Sequence, residues 1–314
     1  MLPSPRQFCY PGRMTNGSLR STLDGPTTIR AKAPAKINLC LRVVGQRGDG
    51  YHLLESCVVP ISIFDHLTIH AAPSGRSQLK ISCTDQALAT NENLALRAAR
   101  LAIDRMGTSL DVEIHLEKNI PIGAGLGGGS SDAAAVLLGL DHAVGACTPQ
   151  AELIAWGCEL GADVPFFVCG KPAWVSNIGE VVEPYDPGSV GPLVVAFPGS
   201  GLSTPEVYRA YDRSLTKCRT DSTIRPLTRG HVPLEELLVN DLESVAIQIL
   251  PELQILKQRL RELGAIHTLM TGSGSAVFGV WDDSKGALSA TQQMNSEGIW
   301  ARTAEVLESA PRPK

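Results

Sequence analysis

Apolar and polar positions alternate with period two in several short stretches of the chain, and each predicts a strand. Asp111-Val112-Glu113-Ile114-His115-Leu116-Glu117 is the cleanest, the pattern of a strand buried on one face. Residues 28–33, 37–44 and 57–63 read the same way. Gly45-Gln46-Arg47-Gly48-Asp49-Gly50 forms a loop between the last two. Helical spacing takes over at 92–106, in the alanine-rich run 132–144, and at 251–263. In the last of these Leu253, Leu256, Leu260 and Leu263 share a face and Gly264 closes the helix. Thr148-Pro149 predicts an N-cap followed by proline at the first helical position, with Gly161 near that helix's end. A proline- and glycine-rich break covers 184–192. Beyond it, residues 193–197, 266–270 and 276–281 read as strands, and a final helix and strand finish near Leu307. The pattern predicts two α+β domains, 30–190 and 191–308. They are preceded by a disordered extension, 1–29, and followed by a short tail, 309–314.

Composition narrows the class. Hydrophobic residues make up 43% and charged residues 19%, enough apolar material for a real core. The net charge of −4 is spread along the chain, which argues against a nucleic-acid binder. Eight cysteines form no C-x-x-C pair, and several sit in apolar runs, so free thiols in a reducing, cytoplasmic setting are expected. No apolar run is long enough to span a membrane, and the N-terminus lacks the apolar core of a secretion signal.

The strongest chemical signal is Gly123-Ala124-Gly125-Leu126-Gly127-Gly128-Gly129-Ser130-Ser131, which leads into the 132–144 helix. Glycines let backbone N–H groups turn inward without Cβ interference, and a helix N-terminus adds a positive dipole end. Both suit phosphate. The alternative is a tight strand–helix turn in which Ser130 or Ser131 merely caps. The loop is not a P-loop, because no lysine follows the glycines. Gly123-x-Gly125-x-x-Gly128 fits a dinucleotide fingerprint by letter only, since the upstream element order is not doubly wound.

Three motifs in order resemble those of the GHMP kinases. Pro34-Ala35-Lys36-Ile37-Asn38-Leu39 is similar to their N-terminal motif, and Pro121-x-x-x-Gly125-Leu126-Gly127-Gly128-Gly129-Ser130-Ser131 to their phosphate loop. Thr271-Gly272-Ser273-Gly274-Ser275 resembles their C-terminal glycine motif. Further stretches, Asp49-Gly50-Tyr51-His52, Gly161-Ala162-Asp163-Val164-Pro165 and Asn240-Asp241-Leu242-Glu243, resemble one branch of that family. Its acceptor is a cytidine diphosphate-linked methylerythritol, on the non-mevalonate route to isoprenoid precursors. The resemblance covers roughly residues 30–305. It implies a ribosomal S5 domain 2-like N-terminal domain and a ferredoxin-like C-terminal domain, ATP and Mg²⁺ as cofactors, small-molecule substrates, and a monomer or homodimer.

The resemblance also assigns roles. Asp163 is the candidate to accept the acceptor hydroxyl's proton. An ordinary aspartate near ~3.9 is a weak base toward an alcohol, so transfer would be late and orientation as important as basicity. The bland alternative is a helix-terminal Asp binding backbone amides. Lys36 would keep Asp163 ionised and neutralise the transferring phosphoryl group, unless it is only a solvated strand lysine. Asn38, on the same strand face, would bond the erythritol hydroxyls. Tyr51 and His52 supply an aromatic face and an edge reader for cytosine, with Tyr208 as a second aromatic, each otherwise an ordinary core or interface residue. Adenine falls near Asn93-Leu94, where Asn93 serves equally well as a helix N-cap. Pro121, Gly123, Leu126 and the glycines that follow shape the phosphate site. Thr271, Gly272, Ser273 and Gly274 approach the substrate phosphates, and Ser131 is the candidate Mg²⁺ ligand. Asn240, Asp241 and Glu243 read as structural. Two other readings remain: another GHMP kinase acting on mevalonate, homoserine or a sugar, or a non-catalytic nucleotide-binding regulator.

Overall fold

The computed structural model describes residues 23–215 and 232–314. Its first sheet grows from one long antiparallel hairpin, β1 (Thr27–Gln46) and β2 (His52–Pro73), paired from Thr27↔Ala71 to Gln46↔His52. The strands expected at 28–33 and 37–44 are therefore one. Pro34 does not end the strand because a register shift falls between Pro34 and Ala35, where a missing N–H is tolerated. The hairpin turns at Gly50, whose φ of +91° is glycine territory and whose N–H donates to Arg47 O at 3.0 Å.

β3 (Leu79–Cys83) and β4 (Leu110–Glu117) extend the sheet beside the far half of β2, and β5 (Ala173–Asn177) and β6 (Val181–Pro184) beside its near half. The core under this sheet is filled by α1 (Leu94–Met106), α2 (Gly128–Val144), α3 (Gln150–Leu160) and α4 (Val164–Cys169). α2 is apolar around most of its circumference, as a central helix must be. The N-cap expected at Thr148 is taken by Pro149 instead, and the Thr148 N–H donates to Asp141 Oδ1 at 3.1 Å.

The second half runs β7 (Leu193–Phe197), α5 (Thr204–Leu215), α6 (Leu234–Leu237), β8 (Val239–Asn240), α7 (Glu243–Ile249), α8 (Glu252–Glu262), β9 (His267–Met270), β10 (Val277–Val280), α9 (Ser284–Ser296) and β11 (Trp300–Ala304). Its sheet, in order β11-β7-β10-β9 and antiparallel throughout, has the ferredoxin-like arrangement. β8 stands apart from that sheet and pairs in parallel with β1 at Cys40 and Leu41, so the two halves share backbone hydrogen bonds.

Both expected chain ends need correction where they are described. The extension was expected to run through residue 29, but β1 begins at Thr27 and Ile29 is buried; residues 1–22 lie outside the described residues. The tail expected at 309–314 is bonded to the fold. Ala310 N–H donates to Gly170 O at 2.6 Å, and Arg30 and Lys314 exchange two backbone hydrogen bonds. Just upstream, Leu307 N–H donates to Pro60 O and Val306 bridges Ile61. The six described cysteines are free, Cys9 and Cys218 lie outside the described residues, and no described helix is long and apolar enough to cross a membrane.

A buried ion cluster anchors the first turn of α2. Lys118 Nζ bonds both Asp65 and Asp132, the latter at 2.9 Å. Asp65 also accepts from the N–H groups of Asn119 (2.6 Å) and Ile120 (2.9 Å), so its charge is well solvated by donors. Asp132 is less well served, because its Oδ1 is buried without a partner. Burial pushes the Asp132 carboxyl up to about 7, against the pull of Lys118 and with the help of Asp65. A carboxyl raised in the folded state binds more protons there than in the unfolded chain. It therefore favours folding less as pH climbs from the ordinary carboxylate range toward 7. The stability of the wild type relative to Asp132→Asn is expected to fall over that window. Urea midpoints of both proteins between pH 4.5 and 8 check this, and a constant difference would contradict it.

Candidate active site

The phosphate-type loop is fixed by alternating left-handed glycines: Gly123, Gly125 and Gly127 have φ of +68°, +77° and +71°. Gly127 caps α2 without a side chain, and Ser131 N–H is the first to bond back, to Gly127 O at 2.9 Å. The amides before it have no intrahelical partner, which makes this end a donor cluster.

The loop is pressed against the second glycine motif. A Cβ on Gly125 would lie 2.5 Å from Thr271 O and 3.0 Å from Gly274 O. Ala276 N–H donates to Ala124 O at 2.9 Å, and Lys36 N–H to Leu126 O at 2.9 Å. Three segments far apart in sequence thus meet backbone to backbone.

At this junction opens a cleft of about 600 Å³. Gly125, Gly127, Ser130, Gly272 and Ser273 line it together with Lys36, Asn38 and Asp163, and the aromatic residues Tyr51, His52 and Tyr208 complete the lining. Of the residues singled out in the sequence, these eleven come together. Asn93, Leu94, Pro121, Gly123, Leu126, Gly128, Gly129, Ser131, Thr271 and Gly274 do not line it. Asn93 is a helix N-cap: its Oδ1 accepts from Ala95 N–H and its Nδ2 donates to Leu88 O, both at 2.9 Å, so both ends of the amide are used. Leu94 packs beside Gly129, with 3.7 Å to an ideal Cβ there. Gly128 leaves room for Lys118 and Asp65 of the ion cluster.

Ser131 requires a correction as a metal ligand. It is 1% exposed and lines a separate small cavity under Phe167 and the C-terminal segment, away from the cleft. One residue along a helix turns about 100°, so Ser130 faces the cleft and Ser131 faces the core. Among the described residues no group of three or more His, Cys, Asp or Glu could hold a metal.

Lys36 is buried, and its Nζ donates to Asn38 Oδ1 at 2.5 Å. Burial lowers its ammonium from the ordinary lysine range, and the charge of Asp163 opposes that shift. Gly272 is what leaves space for it, since a Cβ there would come within 3.1 Å of Nζ. Asn38 is held on three sides: its N–H donates to Thr271 Oγ1 (2.9 Å), its Nδ2 to Ser56 Oγ (2.8 Å), and its Oδ1 accepts from Thr271 (3.2 Å). Asp163 occupies the N-cap of α4, yet its side chain makes no capping hydrogen bond, so the carboxylate is left to the exposed mouth of the cleft.

On the aromatic wall, Tyr51 is 62% exposed, whereas Tyr208 is stacked on His52 (centroids 4.7 Å apart, planes at 24°). Burial, with Asp163 second, raises the Tyr208 phenol and keeps it neutral. Asp212, Arg209 and Thr204 also line the cleft. They belong to α5, which the sequence reading did not recognise as a helix. The signal was present, because Tyr208, Tyr211 and Asp212 recur at helical spacing.

The Asn-Asp-x-Glu stretch supports this site from behind. Asn240 Nδ2 donates to Met270 O (2.8 Å) and Gly272 O (2.9 Å), Asp241 accepts from Val43 N–H (2.9 Å), and Glu243 accepts from Met270 N–H (2.7 Å).

Residues 93–171 match the GHMP kinases N terminal domain and 225–299 the GHMP kinases C terminal model. A 4-diphosphocytidyl-2-C-methyl-D-erythritol kinase from Syntrophotalea carbinolica is 39% identical over 269 residues, 85% of this chain and 95% of its own. One from Geobacter metallireducens is 38% identical over 276 residues, covering 87% and 96%. A crystal structure of a 4-(cytidine 5'-diphospho)-2C-methyl-D-erythritol kinase superposes with a TM-score of 0.71 at 39% identity, covering 88% of this chain and 99% of that one. Homoserine kinase from Cytophaga hutchinsonii, at 14% identity and a TM-score of 0.67 (96% and 99% covered), shares the fold.

Asn240→Asp would turn a carboxylate oxygen toward two buried carbonyls that now receive N–H donors. Its expected cost is about 1–3 kcal/mol per carbonyl. Asp241→Asn keeps an acceptor for Val43 N–H and should cost less. Denaturant midpoints of the two variants provide the check, and equal losses would refute the distinction.

Proposed function

Starting from the chain's membership of the 4-diphosphocytidyl-2-C-methyl-D-erythritol kinases of the GHMP family, we propose that it transfers the γ-phosphoryl group of ATP to the 2-hydroxyl of 4-diphosphocytidyl-2-C-methyl-D-erythritol. The observation that carries this reading is one cleft lined at once by Lys36, Asp163, the mouth of the phosphate loop and an aromatic wall.

In phosphoryl transfer the protein aligns the hydroxyl and neutralises charge. Asp163, with a carboxylate free of capping duty, accepts the acceptor hydroxyl's proton as the new O–P bond forms. Lys36 offers a cation whose own burial cost is relieved as negative charge builds on the transferring group. Asn38 fixes the Lys36 ammonium in place. The loop amides around Gly125 and Gly127, and Ser130, receive the nucleotide phosphates. Tyr51 presents an exposed face for cytosine, and base–aromatic stacking is worth roughly 1–3 kcal/mol.

Mg²⁺ accompanies ATP in this chemistry and takes phosphate oxygens as ligands. With no carboxylate cage among the described residues, it would be carried chiefly by the nucleotide. The protein oxygens nearest that role belong to Ser130 and Asp163, which share the cleft.

A coupled ADP-release assay with ATP and Mg²⁺ tests the substrate by comparing the cytidine compound with mevalonate, homoserine and galactose. Turnover confined to the cytidine compound is the expected result. Turnover with another acceptor would keep the chemistry and cancel the cytosine reading, while silence with all four despite ATP binding would favour a regulator. Asp163→Asn is expected to lower kcat by about 10²–10⁴-fold with nucleotide affinity little changed. Loss of ATP binding in that variant would assign Asp163 a structural role. Tyr51→Ala is expected to raise KM for the cytidine compound while leaving KM for ATP alone.

A further inference from the structure

His52 does not stand alone in the cleft wall. Its Nε2 lies 2.7 Å from Asp212 Oδ1, its ring stacks on Tyr208, and Tyr211 meets it edge-on at 6.4 Å. All three partners sit on one side of α5, so a helix of the second half clamps a side chain of the first-half hairpin. An ionised carboxylate is acceptor-only. A neutral His52 facing that carboxylate must therefore carry its proton on Nε2, leaving Nδ1 as a bare acceptor. Nδ1 makes no hydrogen bond among the described residues, nor is it among the polar atoms sealed from solvent without a partner. It is open on a ring that lines the cleft.

We infer that Asp212 is a specificity-determining positioning residue: by holding the His52 proton on Nε2 it presents the Nδ1 lone pair to the substrate's base, selecting an exocyclic amino group over a carbonyl. This rests on the proposed cytidine substrate and deepens it. Cytosine carries an N4–H₂ donor where uracil carries the O4 acceptor. With Nδ1 fixed as an acceptor, the amino group is bonded, whereas O4 would face it lone pair to lone pair. Without the carboxylate, both tautomers become available, and the Nδ1–H form accepts uracil as readily as the other accepts cytosine. A polar site that loses its complementary group discriminates by more than an apolar one does, because the mismatch strands a desolvated atom.

The test measures inhibition by CDP and by UDP at pH 8 for wild type, Asp212→Asn and Asp212→Ala. Imidazole ¹⁵N spectra of His52 are recorded on the same proteins. An amide at 212 accepts from or donates to Nε2 equally well, and alanine does neither. Asp212 is 43% exposed at its side chain, so both variants should fold, and thermal melts check that they do. Wild type should prefer CDP and show the Nε2–H tautomer. Both variants should lose about 10-fold of the CDP/UDP ratio and show mixed tautomers, with KM for ATP unmoved. A wild-type preference for CDP that both variants keep in full would overturn the role of Asp212 and leave the cytidine reading standing. A wild type indifferent to the base would overturn the cytidine reading itself, and the inference with it.

Discussion

Two loops that approach backbone to backbone set the terms for the rest of this molecule. Gly125 lies so close to the carbonyls of Thr271 and Gly274 that no side chain fits between them. The contact cannot be loosened without opening the cleft, because the same segments fix Lys36 from below and Asn38 through Thr271. Close approach of this kind leaves peptide groups that water cannot reach. Each must find a partner within the protein, and Asn240 supplies two donors to the carbonyls of Met270 and Gly272. The buried amides are therefore as much a part of the cleft as the residues lining it.

The polar network behind the cleft was only half legible in the sequence. Asn240, Asp241 and Glu243 were recognised as structural, but nothing in their spacing indicated which backbone groups they would reach. The same holds for Asp65, Lys118 and Asp132. Each sits at an unremarkable position in a strand, a strand end and a helix start, and 53 residues separate the first two. Such clusters depend on tertiary pairing, which local periodicity does not encode.

Where a single buried face decides an element, the sequence pattern was enough. β4 alternates as expected, and α1, α2 and α8 begin and end within a few residues of their hydrophobic pattern. It failed where a feature was shared between elements. The strands expected at 28–33 and 37–44 are one because a register shift absorbs Pro34, and α5 escaped because much of its inner face is aromatic and polar, suited to a cleft. Ser130 and Ser131 are chemically identical neighbours in the sequence, and only the phase of α2 separates a cleft residue from a core one. The matched residues Lys36, Asp163, Tyr51, His52 and Tyr208 were legible as motif positions. Their convergence on one cleft required the second half of the chain to fold against the first.

The crossing of the C-terminal segment back to the first sheet bears on the order in which the molecule can be assembled. Glu305 bonds Ser62 across 243 residues of sequence, and Arg30 pairs with Lys314 beyond that. During synthesis the first hairpin leaves the ribosome long before the strand segment that completes its edge exists. The nascent N-terminal half must wait, with an unpaired edge near Pro60 and Ile61, until translation has passed residue 305. Its closure is among the most non-local steps available to the chain, and the topology makes it a slow one.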